Sequence, residues 1–261
     1  MTSSICVTLD GPVATIALTR PEVRNALSLD VIDALLAAYT AIASDQSVRV
    51  VLLEAEAPVF SAGHDLKELT ANRADKDAGR GFFETVFSRC SELMKRIVEL
   101  PQPVIVAVEG VATAAGCQLV ASCDLAVAGA TARFATPGVN IGLFCSTPAV
   151  ALSRVVAPKH ALEMLLTGDL IDAETAERIG LVNRVVPAGE AARTARVLAD
   201  RIASKSPTAL RLGKRAFHTQ RSLSLDEAYK LASGVMVENM LTEDAAEGID
   251  AFLAKRPPKW T

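Results

Sequence analysis

The sequence predicts an α/β fold in which parallel strands alternate with covering helices, and three observations carry that prediction. Strand-like and helix-like runs take turns as far as Pro148, the order that winds a parallel sheet. Half of the 261 residues are apolar but only 4% are aromatic, so the core must be built from Ala, Val, Leu and Ile, the mixture expected where helices cover a sheet. From Pro148 onward the pattern is mostly helical, which places a helical region after the sheet.

The segment "ICVTLDGPVATIALTRP" predicts two strands joined at Asp10-Gly11, because Asp-Gly tolerates the positive φ of a tight hairpin and alternating apolar residues flank it. Ser28 is placed to cap a helix whose apolar face is Val31, Ile32, Leu35, Leu36 and Tyr39. Strand "RVVLLEAE", helix "FFETVFSRCSELMKRIVEL", strand "PVIVAVEG", a turn of small residues with its helix, and strand "DLAVAGA" follow. The later helices are broken only by the strand-like "LVNRVVP". Residues 1–200 are thus expected to form the core. Residues 201–261 are expected to form helices whose apolar faces have no sheet left to cover and pack on a neighbouring subunit.

Net charge is -3 with Lys and Arg scattered, so no basic field exists to hold nucleic acid. A nucleotide-sized ligand needs only a few cations and stays compatible with this balance. The uncharged stretch near the middle, Gly110 to Cys123, is too short to cross a bilayer. Cys6, Cys90, Cys117, Cys123 and Cys145 have neither metal-ligand spacing nor a secreted framework. With an N-terminus that enters a strand pattern at once, they lead us to expect reduced thiols in a cytoplasmic protein. His160 and His218 lack partner spacing, and no HExxH, P-loop or dinucleotide fingerprint occurs.

Two turns have the composition of backbone donor sites. In "PVFSAGHDLKEL", Ser61, Ala62 and Gly63 allow close approach, and a helix is expected near Asp65. In "GVATAAGCQL" the N–H of Ala115 or Gly116 falls near a helix start. Two convergent N–H groups would stabilise an oxyanion developing on a thioester carbonyl. Small residues before a helix also arise from packing alone, so neither turn by itself is specific.

In order along the chain, "RPEVRNAL", "FSAGHDLKEL", "PVIVAVEGVATAAGCQLVASCD", "ARFATPGVNIGLF", "TGDLIDAETAERIGLVNRVVP" and "FLAKRPPKW" resemble the crotonase superfamily, the enoyl-CoA hydratase/isomerase proteins, over essentially the full length. The resemblance implies a crotonase (ClpP-like) spiral of ββα units with a C-terminal helical trimerisation region, as a homotrimer or a dimer of trimers. It implies an acyl-CoA or enoyl-CoA ligand, nominally for hydration or isomerisation in fatty acid metabolism, with coenzyme A as part of the substrate and no permanently bound cofactor or metal. The backbone N–H groups of His64 and Ala115 would form the oxyanion hole. Arg24, Ala26, Ala62, Asp65 and Leu66 would line the nucleotide and pantetheine path, and Lys255 would reach a phosphate, of an adjacent subunit's ligand or as a plain solvated cation.

The sequence departs from that pattern at the proton-moving pair. Hydratases of the family flank the alkene with two glutamates, one base and one acid; by the resemblance the first position holds Gln118 and the second Gly138. An amide does not titrate near neutral pH, though it can hold a water or substrate, and glycine offers no side chain at all. Replacement groups are sought in Glu84, on the helix that often covers this pocket in the family, and in Cys145, Ser146 and Asn140. The His64 imidazole is expected to face outward or cap, with Asp65 and Glu68 supporting the start of their own helix. A non-catalytic acyl-CoA binder or an assembly partner is the competing reading.

Overall fold

The computed structural model describes residues 4–261. Strands β1 (Ile5–Asp10) and β2 (Val13–Leu18) pair Asp10 with Val13. Gly11 takes φ 55° in the intervening turn, as the tight hairpin requires. Helix α1 (Leu29–Ser44) then leads to β3 (Val50–Ala55) and β4 (Val59–Ser61), and α2 (Leu66–Ala71) and α3 (Arg80–Glu99) precede β5 (Val104–Val108), β6 (Val111–Thr113) and α4 (Ala115–Ser122). Next come β7 (Leu125–Gly129), β8 (Arg133–Ala135), α5 (Ser146–Val155), α6 (Pro158–Thr167), β9 (Ile171–Asp172), α7 (Ala173–Arg178), β10 (Arg184–Val186) and α8 (Ala191–Ala203). Helices α9 (Pro207–Gln220), α10 (Leu225–Met240) and α11 (Glu243–Leu253) close the chain.

The larger sheet runs β1-β2-β3-β5-β7-β10, parallel except at the β1-β2 hairpin, and a smaller sheet runs β4-β6-β8-β9. Three times in succession a strand of the large sheet passes to a short strand of the small one and then into helix: β3-β4, β5-β6 and β7-β8. This is the expected spiral of ββα units. The short strands lie in stretches that residue patterning alone left as turns, because three residues carry no period that can be recognised.

The central strands of the large sheet, β2, β3, β5 and β7, are largely buried on both faces, which explains their nearly continuous apolar runs. Ile105 and Ala107 of β5 join Val50, Leu52 and Val127 under α8, whose Ala191, Ala195, Ala199 and Ala203 repeat every fourth residue and let the helix lie close on the sheet. Val104, Val106 and Val108 face the opposite way into the main core with α1 and α3. In α1 the expected apolar face is buried, but Ser28 makes no side-chain cap. Instead the Glu68 carboxylate, in the first turn of α2, accepts the Leu29 N–H at 3.1 Å, so its charge supports the start of α1 as well as that of α2.

Lys214 of α9 fastens the last helices to the core. Its buried ammonium donates to the carbonyls of Ile97 at 3.0 Å and Gln102 at 3.1 Å and to the Asp124 carboxylate at 2.6 Å. Asp124 also accepts the Val104 N–H at 2.7 Å and lies 3.3 Å from His218, a structural acceptor as its place before a strand suggests. Helices α10 and α11 leave Leu225, Met236, Val237, Phe252 and Leu253 largely exposed, as is Leu241 between them. Among the described residues no helix is long and apolar enough to cross a membrane, and no cluster of His, Cys, Asp and Glu could hold a metal ion.

Candidate active site

The two small-residue turns meet, and glycine is what lets them. A Cβ on Gly63, whose φ is 85°, would come within 2.9 Å of the Ala114 Cβ and 3.1 Å of the Ala115 nitrogen. One on Gly116 would come within 2.4 Å of the Ser61 carbonyl oxygen. No Cβ tolerates such approaches, so the contact exists only with glycine at both places. Asn25 holds the assembly from the other side: its carboxamide donates to the carbonyls of Glu56 at 2.9 Å and Val59 at 2.7 Å and accepts the Arg20 N–H at 2.9 Å. The Ser61 hydroxyl donates to the Asn25 carbonyl at 2.8 Å and accepts the Gly63 N–H. Sequence reading passed over these roles of Asn25 and Ser61; the only local signal was an Asn placed where a turn can use its tolerance of positive φ, here 49°.

The amides themselves are free. Leu27 donates to the Gly63 carbonyl at 2.8 Å and accepts from the Asp65 N–H at 3.3 Å, so the intervening His64 N–H points away from Leu27, as alternate groups do in extended chain. Ala115 is the first residue of α4, where an N–H lies outside the helical ladder. Among the described residues neither amide donates to any acceptor. Ala114, just before the helix, is held at φ 50° and ψ -118°. Such backbone costs a non-glycine residue about 1–3 kcal/mol, so Ala114→Gly is expected to raise stability by about 1 kcal/mol, net of glycine's extra chain entropy, read from the urea midpoint.

Other expected ligand-path residues gather beside this junction. The Arg24 carbonyl accepts the Ala62 N–H at 3.0 Å, Ala26 is buried next to the Leu27 and His64 pairing, Asp65 caps α2 by accepting from Lys67 and Glu68, and Leu66 is exposed. Lys255 stands apart, beyond α11, donating its N–H to the Phe252 carbonyl. Glu84 is not brought to the junction: its side chain is 69% exposed and pairs with Arg80 one helical turn away.

The imidazole of His64 is the main surprise among the side chains. Rather than facing outward, it packs edge-on against the Phe87 ring with centroids 5.3 Å apart, and its Nε2 is sealed with no hydrogen-bond partner among the described residues. Burial pushes its pKa down to about 4. A base with a lowered folded pKa stabilises the protein while neutral; that stability is present above the unfolded pKa and drains as pH falls toward the folded one. Between pH 7 and pH 4.5, wild type is therefore expected to lose about 2 kcal/mol more unfolding free energy than His64→Gln. Equal losses in urea titrations would show that the ring is not sealed in solution.

Gln118 is 3% exposed, and its Oε1, like Thr136 Oγ1, is sealed with no partner among the described residues. Such orphans are few in native domains and mark places where a ligand or ordered water completes the bonding. Gly138 is closed in: a Cβ there would lie 2.6 Å from the Leu143 carbonyl oxygen and 2.8 Å from Cys145 Sγ.

A spiral of ββα units that presses two glycine turns together beneath free amides defines a class, and the chain belongs to the enoyl-CoA hydratase/isomerase family, whose sequence pattern it matches over residues 9–261. Within that family it is 49% identical to human "Enoyl-CoA hydratase domain-containing protein 3, mitochondrial", over 97% of this chain and 82% of the relative. It is 50% identical to the Xenopus laevis protein of the same name, over 94% and 82%. The crystal structure of that human protein superposes with a TM-score of 0.93 at 46% identity, covering 98% of this chain and all of the other. An enoyl-CoA hydratase from Mycobacterium smegmatis superposes at 0.94 and 46%, covering 98% of each chain. These relatives overturn the expectation of a cytoplasmic protein, since those from vertebrates are mitochondrial by name. Unpaired cysteines argue only against an oxidising compartment and had no power to choose between reducing ones.

Proposed function

We propose that this protein binds acyl-CoA thioesters with the thioester carbonyl between the N–H groups of His64 and Ala115, and that it hydrates or isomerises enoyl thioesters weakly or not at all. The observation that carries the reading is the pair of undonated amides on two turns held in contact by Gly63 and Gly116. One such donor is worth about 10²–10³ in rate where negative charge develops on oxygen. Coenzyme A enters with the substrate along Arg24, Ala26, Ala62, Asp65 and Leu66. Lys255 meets a phosphate of a neighbouring subunit's ligand. The apolar faces of α10 and α11 support assembly as a homotrimer or a dimer of trimers through residues 201–261, and the family suggests a place in fatty acid metabolism.

Calorimetry with butyryl-CoA tests the reading. Wild type is expected to bind it more tightly than free coenzyme A. Gly63→Ala, which drives a methyl group toward the Ala115 amide, is expected to erase that preference while circular dichroism stays native. No binding by wild type, or an unchanged preference in the variant, would overturn it. Gln118 and Gly138, where the family's carboxylates would stand, favour a second reading, an acyl-CoA binder or assembly partner without turnover. Binding with no product from any enoyl-CoA would establish the binder; neither binding nor product would leave the assembly partner.

A further inference from the structure

The slot beside Gly138 is not empty. Cys145 Sγ lies 2.8 Å from where a Cβ on residue 138 would be, so a thiol occupies the place from which the family's second carboxylate would project. Cys145 is 8% exposed, at the N-terminal boundary of the ten-residue α5. Helix α4, which packs on α5, ties this thiol to the candidate site. Cys117, on the helix that Ala115 begins, is close enough to feel its charge. Gln118, next along that helix, keeps a buried carboxamide oxygen with no partner among the described residues, an acceptor able to take a hydrogen bond from a ligand or water.

Resting on the thioester reading above, we propose that Cys145 is the proton-transfer residue of this site and exchanges a proton with the carbon next to the thioester carbonyl. The Cα–H bond of a saturated acyl-CoA breaks and its proton passes to the Cys145 thiolate. The electron pair moves into the Cα–C bond, and the carbonyl oxygen becomes the enolate oxygen held by the His64 and Ala115 N–H groups. The thiol exchanges its proton with solvent and returns one to Cα, regenerating the thiolate. The net change in heavy water is C–H to C–D with no other reactant. This chemistry needs one acid and base and a polarised carbonyl, which is what remains once a water-activating carboxylate is absent.

The groups facing the sulfur set its pH dependence. Burial pushes the Cys145 thiol above its ordinary pKa, the Gly138 N–H draws it partly back, and Cys117 sits opposite on α4 as a neutral thiol whose own pKa is about 12. The thiolate is therefore scarce at neutral pH, and exchange should climb with pH until the thiol titrates.

The test is deuterium uptake at Cα of butyryl-CoA, followed by NMR in heavy water from pD 6 to 10, with the affinity for butyryl-CoA measured on the same samples. Wild type is expected to exchange faster as pD rises. Cys145→Ser keeps the shape but loses the acidity, and is expected to slow exchange about 10²-fold or more with affinity unchanged; Cys145→Ala should match it. Exchange in Cys145→Ser at the wild-type rate, or binding by wild type without exchange, overturns the role of Cys145 and leaves the thioester site standing. No binding by wild type overturns both.

Discussion

Crotonyl-CoA given to the pure protein is expected to be hydrated about 10⁴-fold or more slowly than by a family member with both glutamates, since one general acid or base supplies about 10²–10⁴ in rate. Hydration needs a base to aim water at the β carbon and an acid for the α carbon. Gln118 can orient a water but cannot take its proton, and a single thiol cannot serve both carbons at once. Gly138→Glu alone is not expected to restore activity, because its Cβ would run into the Leu143 carbonyl oxygen at 2.6 Å and Cys145 Sγ at 2.8 Å, and contacts that short force the backbone to move. Product formation followed by mass, as the gain of one water, decides this. Fast hydration abolished by Glu84→Ala would mean that this exposed carboxylate turns inward when substrate binds. Fast hydration indifferent to Glu84→Ala and Cys145→Ala would defeat the mechanism derived above.

Lys214→Met is expected to cost about 3–5 kcal/mol of unfolding free energy, the usual penalty for stripping one partner from a buried ion pair. The ammonium is 7% exposed and satisfied by three acceptors, and methionine would leave Asp124 inside with only the Val104 N–H and His218 for company. Burial lowers the Lys214 pKa, and the Asp124 charge opposes that shift. The double variant Lys214→Met with Asp124→Asn is expected to recover part of the loss, because the amide oxygen can still accept from Val104 while no charge is stranded. Urea unfolding of the four proteins in the cycle gives the coupling directly. A single-variant cost below about 1 kcal/mol would place this pair with exposed ion pairs and remove it as the tie between α9 and the core.

Much of the candidate site was legible because its chemistry is local. Glycine at 63 and 116 follows from the close approach of backbone that the motifs demand, and Asp65 reads as a cap from its place before α2. Glu68 lies in the first turn of α2 as expected, but its side chain also crosses to the Leu29 N–H of α1, a partner 39 residues away that no local pattern can name. The same holds for Asn25 and Ser61, whose bonds join segments distant in sequence.

The chain's own order of apolar runs, turns and small residues determined the α/β class, the hairpin, the long helices and the family, since each depends on contacts within one element or on a motif of consecutive residues. Only the folded molecule decided that the His64 ring packs on Phe87 with its Nε2 sealed and its pKa lowered, that Glu84 stays in solvent, and that a sulfur sits where residue 138 has no side chain. Burial and charge at a site are set by what distant segments bring to it, and that sum is absent from any stretch of sequence read by itself.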